Sequence, residues 1–344
     1  MRQYFKTITL TSLLLFVSSF LFIACEYKDL CYQHPHTVNV RVQFDWAKAP
    51  YANPEGMAVL FYDLNNPSAA PQRFDLPGRD GGIVKLETGT YRALAYNYDA
   101  SGVIIRGTES ISTVEAYTRP SSIEEGTGLS GEGMPRANGT ESQNVILEPD
   151  SVWAATYYKL TIDMVEPVTY DNVKEGHNEE TKTDYTIVMQ PERRIRQITV
   201  TIRNVPNLQY TSNFAGAIST LAPSVFLETG NLGKEDVTQA FTLSNVADST
   251  LQADILFFGH CPNAADGTTN SHILTVYAIL ADGSKWYYTI DVTDQMHDAT
   301  KNPDPYHIYI DVDNLPVPKP IVNGGGLHPT IDTWQGVEIP VTME

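Results

Sequence analysis

Basic residues are scarce in this chain. Of 344 residues, 23 are Lys or Arg against 41 Asp or Glu, and the formal net charge is −18. Without a basic stripe there is nothing to neutralise phosphates, which excludes nucleic acid as a partner. Electrostatic attachment to an anionic membrane surface is excluded for the same reason. Charged residues of both signs make up 19%, too few for a disordered polyelectrolyte. Cysteine is scarcer still, at three, with no CxxC pair and no Cys/His cluster along the sequence, so a zinc site is not expected. GxSxG, HExxH, a phosphate-cradling glycine loop and an EF-hand loop are all missing. The chain therefore reads as a non-enzyme with no cofactor. Also missing is any convincing amphipathic helix of 12 or more residues. What the sequence does have is aromatic side chains, 19 Tyr, 12 Phe and 4 Trp, a β-leaning composition.

The N-terminus carries a separate signal. Arg2 and Lys6 are the sole charges before residue 26, and Ile8 to Ala24 is an apolar and hydroxyl run ending Phe22-Ile23-Ala24-Cys25. A basic start, an apolar stretch and a small residue at the cut describe an export signal over residues 1–24. The Ser and Thr in the run argue against a spanning helix. A Cys directly after the small residue resembles a bacterial lipobox, which makes Cys25 the lipidated first residue of the exported chain; an uncleaved anchor, or an ordinary signal peptide with an incidental Cys25, is the alternative. Removing residues 1–24 takes away two basic groups and no acid, leaving 320 residues at −20. Several acyl chains on Cys25 would hold the protein firmly to a membrane. The expected location is the outer membrane, lipid-anchored and exposed at the cell surface, because Glu26 does not match the usual Asp retention signal. The compartment permits a disulfide between Cys31 and Cys261, but sequence cannot bring them within bonding distance, and two unpaired thiols are the alternative.

Most of the remaining sequence alternates with period two. Val38, Val40, Val42 and Phe44 alternate with Asn39, Arg41, Gln43 and Asp45, the pattern of a half-buried strand. Short runs of this kind, separated by Gly/Asp turns every 8–12 residues or so, predict an all-β fold of sandwich type. We read residues 25–36 as a tether, 37–155 as a first β-sandwich domain, 156–313 as a second, and 314–344 as a Pro/Gly-rich tether with a C-terminal strand. Within the first domain, residues 119–143 contain five Gly and two Pro and read as a long mobile loop. The run after Trp334 either completes the second sandwich or reaches out to a neighbour.

Few residues offer chemistry. Trp286, Tyr288 and Trp334 are candidates for stacking a sugar, with core packing as the competing reading. Asp294, Asp298, Asp304 and Asp311 crowd one stretch with Asn302, but their spacing matches no calcium loop; a solvated loop is the simpler reading. His34 and His36 would share one strand face, and a single pair does not make a metal site.

Several segments resemble the fimbrillin and fimbrial-anchor superfamily of Bacteroidales, the type V pili. The start Cys25-Glu26-Tyr27-Lys28-Asp29-Leu30-Cys31 is similar to that of Bacteroides lipoproteins of this group. Val38–Trp46 followed by Met57–Tyr62, the segment Gly89-Thr90-Tyr91, and Pro149-Asp150-Ser151-Val152-Trp153 resemble its first-domain strands and exit. The resemblance implies two consecutive transthyretin-like β-sandwich domains and a role in fimbria assembly, anchoring or cell adhesion. The partners it implies are pilus subunits or surface ligands met through strand edges. In that group, stalk subunits lose an N-terminal strand by cleavage after Arg, and a neighbour's strand fills the groove. Arg136 and Arg194 follow no first strand, so the first strand is expected to stay, as in an anchor. A surface glycan-binding lipoprotein is the alternative reading.

Overall fold

A computed structural model of the chain describes residues 37–129, 133–163, 185–260, 270–298, 300–320 and 333–339. The tether 25–36, Cys25, Cys31, Cys261, His34 and His36 lie outside these residues. The fold is all-β, as expected. The first strands are β1 (Thr37–Phe44), β2 (Gly56–Asp63), β3 (Gln72–Pro77), β4 (Gly81–Glu87) and β5 (Gly89–Asn97). Short strands follow at β6 (Ile104–Arg106), β7 (Glu115–Tyr117), β8 (Pro120–Ser121) and β9 (Asn144–Ile146). Then come β10 (Trp153–Ile162), β11 (Tyr185–Met189), β12 (Glu192–Arg193), β13 (Arg196–Arg203), β14 (Thr211–Leu221) and β15 (Ser224–Phe226). The last are β16 (Val237–Ala247), β17 (Thr250–Phe257), β18 (Ile273–Leu280), β19 (Lys285–Asp291), β20 (His307–Asp313) and β21 (Gln335–Ile339). Among the described residues the α-helices are the five-residue turns α1 (Ile123–Thr127) and α2 (Thr293–His297).

Four sheets build the described part of the molecule. A three-stranded sheet runs β11-β1-β4, a five-stranded sheet β12-β10-β5-β2-β3, a ten-stranded sheet β20-β13-β17-β16-β14-β18-β19-β21 with β9 and β8 attached through β16, and a small three-stranded sheet β15-β7-β6. The five-stranded sheet is the middle wall. Met57, Val59 and Phe61 of β2, with Ala93 and Ala95 of β5, face the first sheet and meet Val40, Leu86 and Ile187. The alternate residues Ala58, Leu60, Leu94 and Tyr96 join the other core, with Ile198, Val200 and Leu251. A strand buried on both faces needs no polar alternation, and Gly56–Tyr62 is buried throughout.

The sheets are interleaved along the chain rather than consecutive. The boundary expected at residue 155 falls inside β10, which pairs antiparallel with β5. Strand β11, from the expected second half, pairs parallel with β1, Val42 opposite Ile187. Conversely, β7 and β9 pair with the later strands β15 and β16. Parallel partners need a long crossover, so local pattern cannot reveal them. The C-terminal strand β21 lies parallel to β19, Tyr288 opposite Val337.

The described part of residues 119–143 is packed. Ser122 caps α1 by accepting from the Glu125 amide at 3.1 Å, and Gly128 closes it in the left-handed region at φ 66°. Ile123, Leu129 and Met134 are buried against Ala215, Ala217 and Ala240 of the large sheet. Tyr277 Oη donates to the Pro135 carbonyl at 2.7 Å. Three alanines leave room for this cover. A Cβ on Gly126 would stand 2.7 Å from the Ala240 Cβ, inside contact distance, so glycine is needed there.

Candidate functional site

Strand β1 decides whether the first sheet has an open groove. Its inward valines, Val38, Val40 and Val42, are 4%, 0% and 1% exposed. Hydrogen-bonded neighbours lie on both edges, β4 antiparallel and β11 parallel. Burying a valine contributes about 1.5–3 kcal/mol, so three of them hold β1 in place, and its slot in the sheet is filled by the chain itself.

Other edges are treated differently. Strand β20 ends the ten-stranded sheet, yet its outward groups are capped by side chains. Gln295 Oε1 accepts from the Asp311 amide at 2.8 Å, and Gln295 Nε2 donates to the Asp311 carbonyl at 3.0 Å. Asn302 Oδ1 accepts from the Tyr309 amide at 2.9 Å. This blunts the edge against pairing with another chain. Strands β3 and β6 also end their sheets, without comparable side-chain caps among the described residues.

Beside β6 lies a cleft of about 760 Å³, lined by Arg106, Glu115, Tyr117, Ser224, Phe226 and Lys234 among others. Arg106 Nε donates to Glu115 Oε2 at 2.6 Å, its guanidinium lies 4.4 Å from the Tyr117 ring centre, and the Ser224 hydroxyl donates to Glu115. Burial alone would push the Glu115 carboxyl up. The hydrogen bonds from Arg106 and Ser224 outweigh it and hold the carboxyl below its ordinary range. The cleft therefore keeps a fixed anion beside cations and an aromatic face, next to a strand edge. Glu115 and Ser224 are 109 positions apart in sequence, and no local motif marks either.

The structure brings the sugar-stacking candidates inward. Tyr288 is fully buried and its hydroxyl donates to the Pro316 carbonyl at 3.2 Å. Trp286 packs on the same core, and Trp334 stands edge-on to Tyr277 at 5.5 Å on the other face of the sheet. The indole nitrogens of Trp286 and Trp334 are both shielded from solvent. Tyr288 is buried, Trp286 and Trp334 are half-buried, and Trp334 packs on a different cluster from the other two, so the three do not line up as one platform.

The acidic stretch near the C-terminus builds turns. Asp298 accepts from the Thr300 amide and hydroxyl, at 2.8 and 2.5 Å. Asp304 accepts from the Tyr306 amide, and Asp311 pairs with Arg203 at 2.7 Å. Arg194 is held by the Leu227 carbonyl and Glu192, and Arg136 by the Glu141 carbonyl and Thr238. Neither arginine side chain is free.

The body is all-β, with a first strand that is buried and paired on both edges, capped and uncapped sheet edges, and a polar cleft beside one of them. The chain belongs to the family described as Domain of unknown function (DUF5119), which matches residues 24–242. A Bacteroides ovatus protein named as a fimbrium anchoring subunit, Fim4B, is 25% identical over 360 residues, covering 96% of this chain and 97% of its own. Among solved structures, one named as an adhesin from Bacteroides ovatus superposes with a TM-score of 0.54 at 23% identity, over 82% of this chain and 95% of that one. The fimbrial anchor protein Mfa2 from Porphyromonas gingivalis aligns with a TM-score of 0.44 at 14% identity, over 81% and 91% of the two chains. The resemblance to fimbrial-anchor proteins read from the sequence is borne out.

Proposed function

We propose that this chain is a non-enzymatic anchoring component of a fimbrium, held in the outer membrane by lipid on Cys25. The observation that carries the reading is the end-to-end likeness to a fimbrium anchoring subunit, 96% of one chain against 97% of the other. The buried, doubly paired β1 supports it. A subunit whose own first strand fills its sheet needs no donor strand from a neighbour, which suits the base of a polymer. Pilus subunits would then meet it at uncapped edges, and β6 beside the charged cleft is the best-provided of these. An extended segment could pair with β6 through main-chain hydrogen bonds and set side chains into the cleft. The C-terminal strand, paired at home with β19, is not needed as a donor in this scheme.

The test is chemical crosslinking on intact cells, followed by isolation of the full-length protein from outer membranes under denaturing conditions. Crosslinked pilus subunits are expected, in amounts lowered by charge reversal at Lys234 and Arg106. Recovery without any pilus subunit, from cells that display fimbriae, would overturn the reading.

A further inference from the structure

Three histidines from separate stretches of chain converge at one end of the large sheet. His260 follows β17 and bridges to Leu221, His272 directly precedes β18, and His297 is the last residue of α2. Their ring centres are 4.8 Å (His260–His297), 5.1 Å (His272–His297) and 5.8 Å (His260–His272) apart. Imidazoles sharing one tetrahedral ion at a metal–nitrogen distance of about 2.05 Å have ring centres about 5 Å apart and ligand nitrogens about 3.3 Å apart. His272 Nε2 and His297 Nε2 are 3.2 Å apart and share a hydrogen bond, in which His297 Nε2–H is the donor; an ion would replace that proton.

The hydrogen bonds around the trio select ligating nitrogens. His272 Nδ1 lies 3.3 Å from the Ser219 carbonyl oxygen. A carbonyl can only accept, so Nδ1 carries the proton and Nε2 presents its lone pair. Such a carbonyl behind a ligating imidazole is the usual outer-shell support of a metal-bound histidine. The Nδ1 of His260 is buried with no hydrogen-bond partner, an arrangement that costs free energy unless something binds there.

We propose that His260, His272 and His297 bind one divalent transition-metal ion of the zinc type. His272 and His297 contribute Nε2, His297 taking the Nδ1–H tautomer, and His260 contributes its orphaned Nδ1 after a turn of the ring. Among the described residues no group of three or more His, Cys, Asp or Glu is placed to hold a metal ion as it stands, so the site requires the His260 ring to turn toward the other two. Three imidazoles leave the fourth position of a tetrahedral ion for water or another donor. The ion would tie the end of β17, the start of β18 and helix α2 to one point, raising the resistance of this end of the sheet to opening.

The experiment uses the exported chain without a histidine tag, freed of metal with a chelator and titrated with Zn²⁺ by calorimetry. Bound Co²⁺ is read in parallel by its visible absorption. The expected result is one equivalent of Zn²⁺ at micromolar or tighter affinity, an intense tetrahedral cobalt spectrum and a raised melting temperature. His260→Gln and His297→Gln should each weaken binding at least tenfold and abolish the cobalt spectrum. His34→Gln and His307→Gln should leave both unchanged. His272 is fully buried, so its replacement risks the fold and the experiment leaves it in place. Absence of a stoichiometric site in the parent chain would overturn the proposal. So would binding that survives both His260→Gln and His297→Gln, or that disappears in His34→Gln.

Discussion

Replacing Phe61 by alanine tests the shared middle wall. Phe61 is 1% exposed and faces the three-stranded sheet, edge-on to Phe74 at 5.9 Å and to Tyr91 at 6.4 Å. Truncating a buried phenylalanine costs about 3–5 kcal/mol, and the two edge-to-face contacts, each about 0.5–1.5 kcal/mol beyond area burial, place this one toward the upper end. The next residue, Leu60, is 2% exposed and points into the opposite core. Leu60→Ala costs about 2–5 kcal/mol. At this chain length 1 kcal/mol moves the melting temperature by about 2 °C, so falls of roughly 8–10 °C and 4–10 °C are expected. Because β2 and β5 wall both cores, the two variants should shift one and the same cooperative transition in differential scanning calorimetry. Two resolved transitions, one moved by Phe61→Ala and the other by Leu60→Ala, would refute the reasoning, since the cores would then unfold independently.

Three further perturbations follow from named contacts. Gly126→Ala puts a Cβ 2.7 Å from that of Ala240 and should cost about 1–3 kcal/mol as overpacking; Ala240→Gly in the same chain should restore most of it, and a denaturant-melt double-mutant cycle without coupling would contradict the close approach. Glu115 has a folded pKa held below its unfolded value of about 4.3, so its contribution is present above that pH and is lost as the pH falls through the folded value. Glu115→Gln should therefore cost about 1 kcal/mol at pH 7 and nothing at the acid end, read from urea midpoints across pH; a cost that persists at low pH would sink the assignment. Gln295→Ala removes both caps on Asp311 and should speed hydrogen exchange at that amide in mass spectrometry, whereas unchanged protection would mean the edge is closed by something else.

Part of this architecture could be read from sequence, and the physical reason differs by element. The alternation of Val38, Val40 and Val42 identifies β1 because one face is buried and the other is not. The unbroken apolar run Met57–Tyr62 also announces a strand, and its missing alternation is the mark of burial on two faces. Which strands pair is another matter. Val42 meets Ile187 across a parallel ladder, and nothing near either residue encodes that partner, so the interleaving of the sheets was hidden. The glycines and prolines of residues 119–143 masked the role of Ile123, Leu129 and Met134, which pack on a strip of alanines far away in sequence. Trp286 and Tyr288, two residues apart on β19, share one face and pack on the same core, and alternation alone cannot say whether that face is open. Glu115–Ser224 and the histidine trio are products of tertiary approach alone.

If lipid on Cys25 fastens fimbriae to the cell, as proposed, losing it should release them. The most direct measurement is the partition of assembled fimbriae between cells and medium when the parent chain or Cys25→Ala is the sole copy expressed. Cys25→Ala cells should shed polymer of normal subunit composition into the medium. Fimbriae that stay cell-bound at the parental level, with the variant chain exported and folded, would contradict it.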